Sequence, residues 1–339
     1  MLRKTTTLLL AAAAAIALAA SPAWAQKQTL RMAYWTGPSH QMVQTLAAWI
    51  KTIEEASGGN LTVELDKAAL GKMEAQYDLI RNGVRDMVWA VPGYTVGRFE
   101  LLQAAELPLL CPNPTVCSPA LWKWYTKNGL AEKEFTDTKL ITTFVGGPFV
   151  VHTMKPVKTL DEARQLKIRA SGPSLPGAKA LGFNAVPLPP TEVYEAIQKG
   201  TVDGAEFPWE AMPSFRINEL VKAHLEVPGG LGAPAFVIIA NPKAFENLTP
   251  ANKAALMKAG GEAGAALIGK AWTDADERGR ADAKERGQTI EVLAPPELEK
   301  WRQLLTPLTD EWIAKADKKG LDGRKLLDDF RATIKAGAG

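Results

Sequence analysis

The chain has 339 residues, with 40 Lys and Arg against 37 Asp and Glu, three histidines, two cysteines and a formal net charge of +3. A charge this close to zero argues against nucleic acid or a polybasic membrane contact as partner, and the length suffices for two domains with substantial cores. Past the N-terminus no run approaches 18 consecutive apolar residues, so no membrane-spanning helix is expected.

At the start, Arg3 and Lys4, the apolar run Leu8–Ala20 and the small-residue site Ala23-Trp24-Ala25 read as a secretory signal, residues 1–25, with the mature chain beginning at Gln26. Its removal lowers the net charge to +1. Export to an oxidising compartment makes Cys111 and Cys117, in LCPNPTVCSP, a small disulfide-closed loop. Two thiols with no nearby histidine make a poor metal site.

Thr29–Tyr34 alternates as a strand, Trp35-Thr36-Gly37-Pro38 turns, and Ser39 is expected to cap a helix to about Ala56 with Met42, Leu46, Trp49, Ile50 and Ile53 on one face. Ser57-Gly58-Gly59 ends it. Leu61–Leu65 is a second strand, Lys72–Asn82 a helix and Asp86–Val91 a third strand, which completes a β-α-β-α-β unit. A helix around Ser118–Asn128 follows, then two extended runs, Leu140–Val145 and Phe149–Met154. Gly146-Gly147-Pro148 between those runs fits either a hinge or a plain turn.

The stretch Leu166 to Glu210 carries a second β-α-β-α-β run: strand Leu166–Ala170, a turn and helix from Pro173 or Pro176, strand Ala185–Leu188, helix Thr191–Lys199 and strand Val202–Phe207. Ala235–Ala240 is a continuous apolar strand that should cross back into the first unit. Pro250 to about Gly287 reads as one long helix weakened or bent by glycines at 260, 261, 264 and 269. Thr289–Leu293 is a short strand, and helices Pro296–Lys318 and Leu321–Lys335 finish the chain.

In sheets of parallel strands, ligands bind beyond the carboxyl ends of the strands. Arg169 lies at such an end, beside a helix start, where its guanidinium could anchor a carboxylate or phosphate or join an ordinary ion pair. Trp35, Trp89, Tyr94, Phe149, Phe207 and Trp209 all fall at strand ends or in the turns after them. Together they suit the walls of a pocket for an acid with an apolar body. His40, at the entry to the first helix, is either a ligand donor or a helix-entry residue. There is no nucleophile elbow, P-loop or dinucleotide fingerprint, and no two histidines have zinc-ligand spacing.

The segments RMAYWTGPSH (31–40), EEASGGNLTVEL (54–65), LKIRASGPS (166–174), VPLPPTEVYEAIQKGTVDGAEFPWEA (186–211) and LTPANKAAL (248–256) carry a resemblance. The chain resembles the periplasmic substrate-binding proteins of TRAP (tripartite ATP-independent periplasmic) transporters, the DctP family, over essentially all of its mature length. The resemblance implies a type II-like, two-lobed α/β periplasmic binding protein: two mixed α/β domains joined by hinge strands, with long C-terminal helices. The first lobe would comprise 26–147 and 236–275; the second would comprise 148–235 and 276–339 with those helices.

It further implies capture of a small organic acid in the periplasm, with Arg169 of the K-I-R strand on the carboxylate, and delivery to the transporter's two membrane subunits without any chemistry. Phe144–Met154 holds His152 but no Arg or Lys, which disfavours a C4-dicarboxylate, because a second buried carboxylate would lack a partner. Ala205-Glu206-Phe207 is similar to the Ala-Glu-Trp segment of the keto-acid branch, which holds its ligand through a cation. Glu206 is therefore left between cation ligand, hydrogen-bond acceptor and hinge ion pair, no cofactor is expected, and a bridging cation is not supported. The rival readings are the ligand-binding input of a sensor system and an exported hydrolase.

Overall fold

The structure, a computed structural model, describes residues 27–338. The secretory signal expected at 1–25 lies outside the described residues. Eleven strands form two sheets: β1 (Gln28–Ala33), β2 (Leu61–Leu65), β3 (Met87–Ala90), β4 (Lys139–Val145), β5 (Val150–Thr153), β6 (Lys167–Arg169), β7 (Asn184–Val186), β8 (Gly204–Phe207), β9 (Ala223–Glu226), β10 (Ala235–Ala240) and β11 (Thr289–Val292). The first sheet runs β2-β1-β3-β10-β4 and the second β11-β9-β5-β8-β6-β7. Within the two β-α-β-α-β runs every strand pair is parallel, as the alternation of strand and helix requires.

β10 enters the first sheet antiparallel between β3 and β4. Its sequence AFVIIA is buried at all six positions, which is why it reads as an unbroken apolar run rather than an alternating one. The chain passes between the sheets after β4, through Gly146-Gly147-Pro148, and returns before β10. Those two passages bond to each other: Gly146 N–H donates to the Pro234 carbonyl at 2.8 Å, and Phe149 N–H to the Gly232 carbonyl at 2.8 Å.

Several elements differ from the sequence expectation. The first helix, Gln41–Ala56, is capped by His40 and not Ser39: the His40 ring accepts the Met42 N–H at 3.1 Å. The helix expected near Ser118 begins at Pro114, where Asn113 caps it by accepting the Val116 N–H. Cys117 therefore sits in the first turn of a helix, disulfide-bonded to Cys111.

The long helix expected from Pro250 is two, Pro250–Ala259 and Gly261–Glu285, broken at Gly260. Gly261 has φ +50°, and a Cβ on Gly260 would lie 2.7 Å from the Ile141 carbonyl oxygen, so the break sets the chain directly on β4. Trp49 Nε1 donates to the Ala259 carbonyl that the break leaves open, at 2.7 Å. Gly264 and Gly269 do not interrupt the second of these helices. They are points of close approach inside a continuous helix, Gly269 against Pro114 and Ser118.

The last two helices divide unexpectedly. Gly323–Gly337 packs on Pro114–Lys127 beside the first sheet, with Phe330 stacked on Trp124 at 4.5 Å and Trp124 Nε1 donating to the Leu326 carbonyl. Pro295–Lys318 touches both cores: Trp301 and Leu305 join the core around β6, while Trp312 and Ala316 join the core around Trp124. Pro307 lies between the two pairs.

Candidate functional site

Arg169 ends β6 and is only 2% exposed. Its Nε donates to the Leu188 carbonyl at 2.9 Å, Nη1 to the Glu206 carbonyl at 3.3 Å, and Nη2 to Ser171 Oγ at 2.6 Å and Tyr94 Oη at 3.3 Å. The guanidinium lies over the Phe207 ring, 4.2 Å from its centre. Burial pulls its pKa down, against the hydroxyl of Tyr94 and the charge of Glu206. Among the described residues no carboxylate comes within ion-pair distance of it. A buried cation without a countercharge is costly, and here it borders a cavity.

That cavity brings together seven of the nine residues expected from the sequence: Trp35, His40, Trp89, Tyr94, Phe149, Arg169 and Phe207. Trp35 and Trp89 stand 4.8 Å apart, ring centre to ring centre, on the side of the first sheet. Phe207 stacks on Phe215 on the side of the second. Tyr94, from the turn after β3, reaches across to Ser171 at 2.8 Å, so one polar contact already spans the cleft beside Arg169. A second spans it elsewhere, where His40 Nε2 faces Glu210 Oε1 at 3.4 Å.

Two expected residues lie elsewhere. Glu206 does not line the cavity, because alternate residues of a strand face opposite ways. Phe207 takes the Arg169 side and Glu206 the other, where neither carboxyl oxygen has a hydrogen-bond partner. Burial pushes its pKa up to about 8 despite the pull of Arg169. Trp209 turns away as well: its Nε1 donates to Glu226 Oε1 at 2.9 Å, and its ring packs on His152 and His224. Those two histidines meet at 2.7 Å through their Nδ1 atoms, which places His152 outside the cavity.

Sequence reasoning missed Glu210, Ser171, Phe215, Phe236 and Trp272, all of which line the cavity. Phe236 and Trp272, stacked at 5.0 Å, sit on a strand and a helix that read only as core. Glu210 had a signal: like Trp35 and Tyr94, it lies in the turn just after a strand end. It accepts from Ser214 Oγ at 2.5 Å, its own N–H donates to Asp276 Oδ1 at 2.8 Å, and burial pushes its carboxyl up to about 8. Burial pushes His40 down to about 3, so its ring is neutral. Among the described residues no three His, Cys, Asp or Glu side chains converge as a metal-ligand set, and no helix is long and apolar enough to cross a membrane.

The profile of the bacterial extracellular solute-binding protein family 7, DctP, matches residues 32–316. The chain belongs to the DctP family. It is similar at 30% identity to a TRAP periplasmic solute-binding protein of Bordetella bronchiseptica with bound (R)- and (S)-mandelate, with a TM-score of 0.87 over 91% of this chain and 99% of the other. A TRAP solute-binding protein of Rhodoferax ferrireducens in complex with copurified benzoate is also 30% identical, with a TM-score of 0.84 over 92% and 98% of the two chains. A third, from a marine metagenome and specific for aromatic acid ligands, holds 3-hydroxybenzoate; it is 30% identical, with a TM-score of 0.85 over 93% and 100%.

The two-lobed α/β architecture is that of TRAP solute-binding proteins. As a DctP protein the chain captures a small organic acid for a TRAP-type transporter, and the family consists of binding proteins.

Proposed function

We propose that this DctP protein binds an aromatic monocarboxylate, with Arg169 on the carboxylate and Trp35, Trp89, Tyr94, Phe149 and Phe207 around the ring. The observation that carries this reading is the buried, uncompensated Arg169 guanidinium beside an aromatic-walled cavity. Four of its five N–H groups already have protein acceptors, which hold the fork rigid, and the Tyr94 contact at 3.3 Å is the one a ligand oxygen would replace. The aromatic acids held by three structural relatives support it further.

The protein acts in the periplasm, after loss of residues 1–25, and passes its ligand unchanged to the membrane subunits. One lobe centres on the first sheet and, by its packing on Pro114–Lys127, includes the helix Gly323–Gly337; the other centres on the second sheet. Residues 146–148 and 232–234 form the hinge. Both lobes touch the ligand only when closed, so the ligand's differential affinity for the closed state drives closure.

A thermal-shift screen of ligand-stripped protein tests the reading with benzoate, mandelate, 2-oxo acids, C4-dicarboxylates and lactate. At 100 times its dissociation constant a ligand adds about 2.7 kcal/mol of stability. A shift confined to aromatic monocarboxylates is expected, and a shift with succinate but not benzoate overturns it. Mass spectrometry of the recovered ligand checks that it is unchanged.

A further inference from the structure

Arg169 accounts for one end of the cavity; His40 and Glu210 have no role in holding a carboxylate, yet both line it and each is 2% exposed. The His40 ring is fixed by the helix it caps. Its Nδ1 accepts the Met42 N–H, so the hydrogen of the neutral ring is on Nε2, the atom 3.4 Å from Glu210 Oε1. Glu210 is fixed from two sides. Ser214, one turn on, donates to Oε1, and the Glu210 N–H is held by Asp276 of the helix Gly261–Glu285. Among the described residues no hydrogen bond reaches Glu210 Oε2. The cavity therefore presents, from opposite lobes, one N–H donor and one carboxyl group within reach of each other.

We infer that His40 and Glu210 form a second polar pole of the ligand site, one that selects monocarboxylates bearing a neutral hydrogen-bonding substituent, a ring hydroxyl foremost, and rejects a second carboxylate. The inference rests on the aromatic-acid reading above and names the residues that discriminate within that class. A hydroxyl both accepts and donates, which matches an imidazole N–H and a carboxyl oxygen together. A second carboxylate would be buried beside Glu210, a carboxyl that burial already keeps from ionising, and among the described residues Arg169 is the only Arg or Lys side chain lining the cavity, so no second cation would offset the added charge. Because both partners are buried and face each other only at the long distance of 3.4 Å, a ligand lacking the substituent leaves them poorly matched, and sites of that kind discriminate more sharply than apolar walls do.

The test is calorimetric titration of ligand-stripped protein with benzoate, 3- and 4-hydroxybenzoate, benzene-1,3-dicarboxylate and 3-(aminomethyl)benzoate. Wild type is compared with Glu210→Gln and with His40→Asn, which keeps a helix cap but removes the Nε2 donor. Thermal unfolding confirms that each variant folds, and the two residues come from different lobes, so one misfolded variant leaves the other informative. In wild type one hydroxybenzoate isomer is expected to bind roughly tenfold or more tighter than benzoate, with the dicarboxylate weakest. In His40→Asn that ratio falls to about threefold or less, and in Glu210→Gln, where an amide replaces a carboxyl held by Ser214, it falls as well.

A dicarboxylate bound as tightly as the hydroxybenzoates overturns the inference. So does a preference for the ammonium compound, which would make Glu210 a countercharge, and so does a hydroxyl preference that both variants retain. If benzoate binds without any such preference, only this inference falls. If no aromatic acid binds to folded wild type, the aromatic-acid reading falls with it.

Discussion

Arg169 and Glu206 are two residues of opposite charge on neighbouring strands, and their side chains do opposite jobs because strand geometry sends them to opposite faces. Arg169→Ala should weaken ligand binding by about 30-fold or more, the usual consequence of removing one member of a buried hydrogen-bonded charge pair. Arg169→Lys should also lose much of the affinity, since an ammonium cannot reach the Leu188 carbonyl, Ser171 and a ligand carboxylate in one plane. Titration calorimetry against benzoate measures both. Glu206→Gln should leave affinity within about threefold and leave stability at pH 8 undiminished, because no protein donor uses its carboxyl oxygens. A large loss of affinity there would return Glu206 to the site. That Arg169 borders the cavity was legible in the sequence from its place at a strand end. The facing of Glu206 followed from the same alternation but was masked by the lure of a similar tripeptide, and Trp209 failed for a related reason: beyond a strand end, period two no longer tells where a side chain points.

At the scale of elements, the glycines decide how closely the passages and helices approach. A Cβ on Gly147 would fall 1.6 Å from Asp276 Oδ2, so the passage at residues 146–148 lies flat against the helix Gly261–Glu285. Gly147→Ala should cost on the order of 1–3 kcal/mol, read from the denaturant midpoint, as overpacking of a close contact generally does. Full stability in that variant would show that the helix yields. Both β-α-β-α-β units were legible because their punctuation is local: turn residues, caps and apolar periodicity sit within a few positions of each boundary. The helix break at Gly260 was not, because a glycine in an Ala-rich helix has the same local signature whether it kinks the helix, ends it or lets another backbone come close. Here Ile141 and Trp49, far off in sequence, settle which. Phe236 and Trp272 stayed hidden likewise, since an apolar residue on a buried element looks the same whether it faces a core or a cavity.

For the whole molecule, buried acids and buried imidazoles pull its stability in opposite directions with pH. Burial raises Glu106, Glu206 and Glu210 to about 8 and Asp276 to about 7. The folded state thus holds protons that the unfolded chain has released, and this contribution is complete below about pH 4.5 and drains away as pH rises toward 8. His40, His152 and His224 are lowered by burial, so their contribution is present above about pH 6.5 and is lost as pH falls below it. The melting temperature of the ligand-free protein should therefore be higher at pH 6 than at pH 8.5, and a scan that rises steadily through pH 8.5 would contradict this. Because Glu210 belongs to the cavity, a ligand that contacts it should flatten part of that slope.

The helix Pro295–Lys318 gives the cleft a mechanical property. At 24 residues it is about 36 Å long, and it is gripped near Trp301 in one core and near Trp312 in the other. A helix packed into both cores couples them, so a rotation of one core against the other would have to bend or slide this helix. Pro307, between the grips, has no N–H to complete the helical ladder and so marks the softest point of the helix. A rotation between the two cores should therefore bend the helix first at this proline, between the tryptophan that each core holds.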